Sequence, residues 1–100
     1  MKAELFNYKC WISISEPEEV KAFGADLLQK TDFEILGFVE HHFQPFGYTC
    51  IWLLAESHLA IHTFPEESKT YLELTSCVEQ KRVAFENLVL GSDHFLIAQG

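Results

Sequence analysis

The sequence predicts an α+β fold, a two-layer sandwich in which a mostly antiparallel sheet carries two helices on one face. Three observations lead there. Stretches rich in β-branched and aromatic residues follow one another with only short turns between them, as antiparallel neighbours do. Two segments show helical spacing behind capping patterns. Ile51, Trp52, Leu53 and Leu54 are consecutive apolar residues in the middle of the β-rich region, so that strand is apolar on both sides. Its second face needs cover, and a second copy of the chain dimerising through the sheets is the simplest cover.

The elements follow in order. Residues 4–13 mix aromatic and β-branched side chains and read as a first strand. Ser15, Pro17 and Glu18 form a helix start, with a capping serine, a proline in the first turn and a glutamate three residues on. Val20, Phe23, Leu27 and Leu28 then make one apolar stripe, and the helix is expected to end near Thr31. Strands are predicted over 33–43, 48–55, 58–63 and 70–77. Pro45-Phe46-Gly47 separates the first two and Pro65-Glu66-Glu67-Ser68 the last two. In the last of these, Leu72 and Leu74 alternate with Tyr71, Glu73 and Thr75, giving one apolar face. Ser76 and Glu79 repeat the capping pattern and open a helix to about Leu90, with Phe85 and Leu88 turned inward. Gly91-Ser92 ends it, and 94–98 form a final edge strand.

One hundred residues are expected to make a single domain, residues 1–100. Hydrophobic residues at 48% against 22% charged ones exclude disorder as the default. The net charge of -8 argues against nucleic acid and against an anionic membrane, both of which reward clustered Lys and Arg. Cys10, Cys50 and Cys77 are odd in number and lack C-x-x-C spacing, so a reducing cytoplasm is the expected location. The start lacks the apolar stretch of a signal peptide, and no run reaches the length of a membrane span.

Chemistry concentrates in A-E-S-H-L-A-I-H-T-F-P-E, residues 55–66, which sets a serine beside two histidines and carboxylates. Several readings stand open on the residues alone. A serine hydrolase wants a nucleophile elbow, and G-x-S-x-G is absent. His58 and His62 suit a metal, but no third ligand has a persuasive spacing, so no metal is assigned. Both histidines also suit plain hydrogen bonding on a strand face.

This run closely resembles the self-cleavage segment of the prokaryotic S-adenosylmethionine decarboxylases, A-E-S-H-L-x-I-H-T-x-P-E. The preceding F-Q-P-F-G-Y-T, residues 43–49, resembles that family's F-x-P-x-G-x-[ST] element, and Ser76-Cys77 resembles its T-C pair. The strong likeness spans 43–77, about a third of the chain. It implies that Ser57 Oγ attacks the carbonyl carbon of Glu56, turning the peptide bond into an ester. Loss of the Ser57 α-proton then leaves dehydroalanine, which hydrolyses to a pyruvoyl group and ammonia. The products are residues 1–56 and 57–100. A hydroxyl is a weak nucleophile and needs help. The resemblance assigns that help to His62 with Thr49 as its hydroxyl partner. It makes the pyruvoyl group, the implied cofactor, an electron sink for decarboxylation. It makes Cys77 the proton donor, Phe43 the ring that stacks on adenine and Glu66 the carboxylate that holds the ribose hydroxyls, with Leu54 also among the substrate contacts. The strand-to-helix reading puts Cys77 in the first turn of a helix, where the dipole favours a thiolate.

Two positions depart from the family pattern. Leu5-Phe6-Asn7-Tyr8-Lys9-Cys10 replaces a Gly-x-His-Leu-like element, and Val78 stands where glycine is expected after the cysteine. Three functions follow from the resemblance. The first is an S-adenosylmethionine decarboxylase proenzyme serving spermidine synthesis. The second is a pyruvoyl decarboxylase of the same fold acting on arginine or ornithine. The third is a non-cleaving homologue with a binding or regulatory role.

Overall fold

A computed structural model describes residues 3–98. Six strands form one antiparallel sheet in the order β2-β3-β4-β5-β1-β6. They are β1 (Phe6–Ile12), β2 (Ile35–His42), β3 (Tyr48–Leu54), β4 (Ser57–Phe64), β5 (Lys69–Ser76) and β6 (Phe95–Ala98). Two helices, α1 (Pro17–Lys30) and α2 (Glu79–Leu90), cover the same face, α1 over β4 and α2 over β1 and β5. The expected α+β sandwich is the observed one.

Strand alternation sorts the side chains by face. Tyr48, Cys50, Trp52 and Leu54 of β3, Leu59 and Ile61 of β4, and Leu72 and Leu74 of β5 turn toward the helices and are buried. Val20, Leu27 and Leu28 of α1 and Phe85 and Val89 of α2 close this core from above. Gly24 lets α1 approach closely, since a Cβ there would lie 2.6 Å from the Trp52 ring. The other face is uncovered. It carries Thr49, Ile51 and Leu53 of β3, His58, Ala60, His62 and Phe64 of β4, Tyr71 and Glu73 of β5, and Lys9 and Trp11 of β1. Apolar groups are open to solvent on it: Leu53 is 56% and Val39 61% exposed.

The structure corrects several local expectations. Glu16, not Ser15, caps α1, its carboxylate accepting from the Glu19 N–H at 2.9 Å. Ser76 and Glu79 form no capping box. The Ser76 hydroxyl instead accepts from the Val78 N–H at 2.9 Å, and Val78, with no capping side chain, precedes α2. Cys77 therefore lies between β5 and α2 rather than in a first helical turn. Leu88 faces outward at 37% exposure and Val89 takes the inward position, one residue around the helix. The 65–68 turn holds a short 3₁₀ turn, Pro65–Glu67, closed by Ser68 in a left-handed conformation.

Candidate active site

The motif residues occupy the β3–β4 hairpin and its neighbours. Ala55 and Glu56 form the tight turn between the strands, and the Ala55 N–H is tied to the Glu34 carbonyl at 3.0 Å. Ser57 begins β4, opposite Leu54 of β3 and Ser76 of β5. Its φ of 155° is a setting that residues with a Cβ seldom adopt. Because Ser57 pairs with Ser76, the following residue, Cys77, reaches the turn. Its backbone N–H donates to the carbonyl oxygen of Glu56 at 2.9 Å. Glu56 and Ser57 are thus assembled at one end of the hairpin with Cys77, which follows Ser57 by twenty positions in sequence. The Ser57 hydroxyl lies 3.3 Å from Nδ1 of His58.

Thr49, His62, Phe43 and Glu66 gather at the other end. Thr49 and His62 face each other across β3 and β4, with Thr49 Oγ1 3.0 Å from His62 Nδ1. The two line a cleft of about 310 Å³ together with Phe43, Phe46, Phe64 and Glu66. Phe43 is half exposed and meets His41 edge-on at 4.5 Å. The loop that presents it is closed by the Phe43 N–H donating to the Gly47 carbonyl at 2.8 Å, and Gly47 takes a φ of 110° that suits glycine. Beneath the cleft the Tyr48 hydroxyl binds the Glu40 carboxylate at 2.5 Å. That bond, with Lys21 adding to it against partial desolvation, holds the Glu40 carboxyl below its ordinary range.

The predicted site residues therefore form two groups, not one. Ser57 and His62 are five steps apart on β4, roughly 16 Å at the rise of an extended strand. They also have opposite parity, His62 on the uncovered face and Ser57 on the helix side. Within the chain the imidazole near Ser57 is that of His58. Leu54, expected to touch substrate, is 2% exposed and packed toward the helices, so it supports the Ser57 end of the hairpin without offering a contact surface.

Two further features join these residues. Lys81 of α2 binds the Glu56 carboxylate at 2.8 Å. Trp11 and Tyr71 pair across β1 and β5 with ring centroids 5.3 Å apart, and with His62 and Phe64 they line a second hollow on the uncovered face. The period-two alternation around Tyr71 is the signal that was available for that pair, whereas the Glu56–Lys81 contact spans 25 residues and leaves no local trace. Among the described residues no three His, Cys, Asp or Glu side chains converge as metal ligands, and no helix is long and apolar enough to cross a membrane.

A family model described as S-adenosylmethionine decarboxylase matches residues 5–92. The chain belongs to that family. Among curated relatives, the S-adenosylmethionine decarboxylase proenzyme of Archaeoglobus fulgidus is 35% identical over 81 residues, 81% of this chain and 71% of that protein. The proenzyme of Thermodesulfovibrio yellowstonii is 35% identical over 66 residues, 66% of this chain and 49% of its own length. The crystal structure of the adenosylmethionine decarboxylase of Aquifex aeolicus VF5 shares the fold, with a TM-score of 0.74 at 20% identity over 87% of this chain and 78% of that one. The matched span, 5–92, contains every residue of both groups.

Proposed function

We propose that this chain is the proenzyme of a pyruvoyl-dependent S-adenosylmethionine decarboxylase that cleaves itself between Glu56 and Ser57, serving spermidine synthesis in the cytoplasm. The observation that carries the reading is the 2.9 Å hydrogen bond from the Cys77 N–H to the Glu56 carbonyl. It polarises the carbonyl carbon that Ser57 Oγ would attack and is aimed at the oxygen where negative charge would develop.

The covalent steps balance with one water as the only co-reactant. Ser57 Oγ bonds to the Glu56 carbonyl carbon, the Glu56–Ser57 C–N bond breaks, and the hydroxyl proton passes to the freed amine. Removal of the Ser57 α-proton then expels the Glu56 carboxylate from Cβ, and water converts the resulting dehydroalanine to a ketone with release of ammonia. The positive φ of Ser57 supports this reading, because opening the peptide bond relieves an unfavourable backbone setting. A pyruvoyl group at position 57 supplies an electron sink for decarboxylation. Cys77, whose backbone meets Glu56 and whose thiol is exposed, is suited to return a proton to the substrate carbon. Phe43 offers a ring for adenine, and Glu66 a carboxylate for the ribose hydroxyls.

The two half-sites support a homodimer. Joining the uncovered sheet faces of two copies head to tail brings the Ser57 end of one hairpin to the His62 end of the other. The same contact buries Leu53 and Val39. His62 then approaches the partner copy's scissile bond at the 55–56 turn, round the end of the hairpin, while His58 steadies Ser57 within its own chain.

Intact-mass measurement tests the proposal. Wild-type protein should yield two fragments meeting at 56/57, the second blocked at its N-terminus, and Ser57→Ala should stay whole. Wild-type protein that remains full length after long incubation would turn the assignment toward a non-cleaving binding or regulatory role.

A further inference from the structure

Three contacts hold the Ala55–Glu56 turn, two of them on Glu56 itself, and they come from three different parts of the chain. The Cys77 N–H takes its carbonyl oxygen, the Glu34 carbonyl takes the N–H of the adjoining Ala55, and Lys81 of α2 takes its carboxylate. The Lys81 ammonium sits 2.8 Å from Glu56 Oε2 and 2.7 Å from the Asp32 carbonyl oxygen, with the Phe33 ring 5.3 Å away. Both partners of the ion pair are about three-quarters shielded from water. Glu56 Oε1 is buried with no hydrogen-bond partner, so Lys81 is the cation that compensates this enclosed carboxylate. Removing it leaves an unpaired charge that gains by turning out to solvent. With the clamp gone, the 55–56 turn keeps only its backbone ties, and the Glu56 carbonyl is held less firmly against the Cys77 N–H.

We infer that Lys81 is a positioning residue for self-cleavage: by clamping the Glu56 carboxylate it holds the scissile carbonyl in the geometry that ester formation requires. The inference rests on the self-cleavage reading above and names a residue outside the 55–66 motif. Lys81 takes no part in bond making. Its contribution is to keep the attacked carbon and the oxyanion donor in register, where a displacement of about 1 Å can cost on the order of 10²-fold.

Cleavage time courses of wild type, Lys81→Met, Lys81→Arg, Glu56→Ala and the Lys81→Met/Glu56→Ala double variant test it. Thermal melts of the same changes in the uncleavable Ser57→Ala background report folding. Lys81→Met should cleave at least about 10-fold more slowly, Glu56→Ala should slow by a similar factor, and the double variant should be little worse than either single one. Lys81→Arg should recover most of the rate, since a guanidinium restores the charge pair. Hydroxylamine, which splits an ester at 56/57, should not release fragments from Lys81→Met, because the block precedes the ester. Wild-type rates in Lys81→Met, independent costs in the double variant, or a hydroxylamine-sensitive ester accumulating in Lys81→Met would each overturn the assignment. Should Lys81→Met fail to fold, Glu56→Ala probes the same pair from its other side, and wild-type cleavage in it would overturn the assignment. A wild-type chain that never cleaves would instead remove the underlying reading.

Discussion

Thr49 Oγ1 lies 3.0 Å from Nδ1 of His62, the two facing each other across β3 and β4 at the end of the hairpin away from Ser57. The threonine fixes the ring and leaves Nε2 as the nitrogen free to face another group. On the dimeric reading that group is the partner copy's scissile bond. Mixing two cleavage-dead variants separates this from action within one chain. Ser57→Ala keeps His62, and His62→Ala keeps Ser57, so mixed dimers should restore cleavage of the His62→Ala chain. Gel analysis of the mixture reads the outcome, and an absence of rescue would assign cleavage to groups within one protomer, with His58 foremost. Thr49→Val should slow cleavage less than His62→Ala, whose loss removes a positioned acid-base group worth about 10²–10⁴-fold.

The chain's three thiols should differ sharply in reactivity. Cys10 and Cys50 are buried, and burial pushes the Cys50 thiol up to about 11, so it stays protonated at neutral pH. Cys77 is exposed. A thiol-directed alkylating reagent at pH 7 should therefore label Cys77 alone in the folded protein, as peptide mapping would report. Cys77→Ala should still cleave if the N–H at position 77 is what matters there, but should lose decarboxylation by a factor of the same order as other positioned acids. Cleavage that fails while the fold is retained would show that the thiol, and not only the backbone, serves processing.

Much of this arrangement was legible in the sequence, for physical reasons. Strands and helices showed because periodicity records which face is buried, and Leu72, Leu74, Val20 and Leu27 lie inside as their spacing predicts. The residues of the site showed because the 55–66 run is long and specific. Their division into two groups did not show until register was known. Only the Thr49↔His62 and Leu54↔Ser57 pairings reveal that the two ends of β4 are far apart. Helix caps misled because a Ser-x-x-Glu pattern specifies possible bonds, and Glu16 and Val78 took the cap positions instead. Lys81 lay beyond reach, since tertiary packing alone brings α2 to the 55–56 turn.

The Glu40 carboxylate under the cleft gives a stability test against pH. The Tyr48 hydroxyl, with Lys21, depresses its folded value below the ordinary 4.5. A depressed carboxyl contributes stability that is present above its unfolded value and is lost as pH falls through the folded one. Glu40→Gln should thus melt below wild type at pH 7, and the difference should shrink steadily below about pH 4.5 as both chains become neutral there. Parallel thermal melts from pH 7 downward measure it. A gap that stays constant across the range would mean that shape rather than charge at Glu40 matters to Tyr48.

Substrate choice is tested at the other end of the hairpin. Phe43, half exposed, and Glu66 border the same cleft as Thr49 and His62, and on the proposed reading both hold the substrate's adenosine. A stacking ring and a diol-binding carboxylate have little to grip on a plain amino acid, so cleaved protein should release carbon dioxide from S-adenosylmethionine and leave arginine and ornithine untouched. Phe43→Ala should raise KM more than it lowers kcat, because stacking on a remote ring binds ground and transition states alike. Base–aromatic stacking is worth about 1–3 kcal/mol, or roughly 5- to 150-fold in KM. Glu66→Gln should be milder than Glu66→Ala, since an amide oxygen still accepts one hydroxyl hydrogen bond. Turnover of arginine or ornithine in place of S-adenosylmethionine would reverse the assignment. Glu66 would then face the substrate's distal cation, and Glu66→Gln, which deletes that charge, would be as damaging as Glu66→Ala.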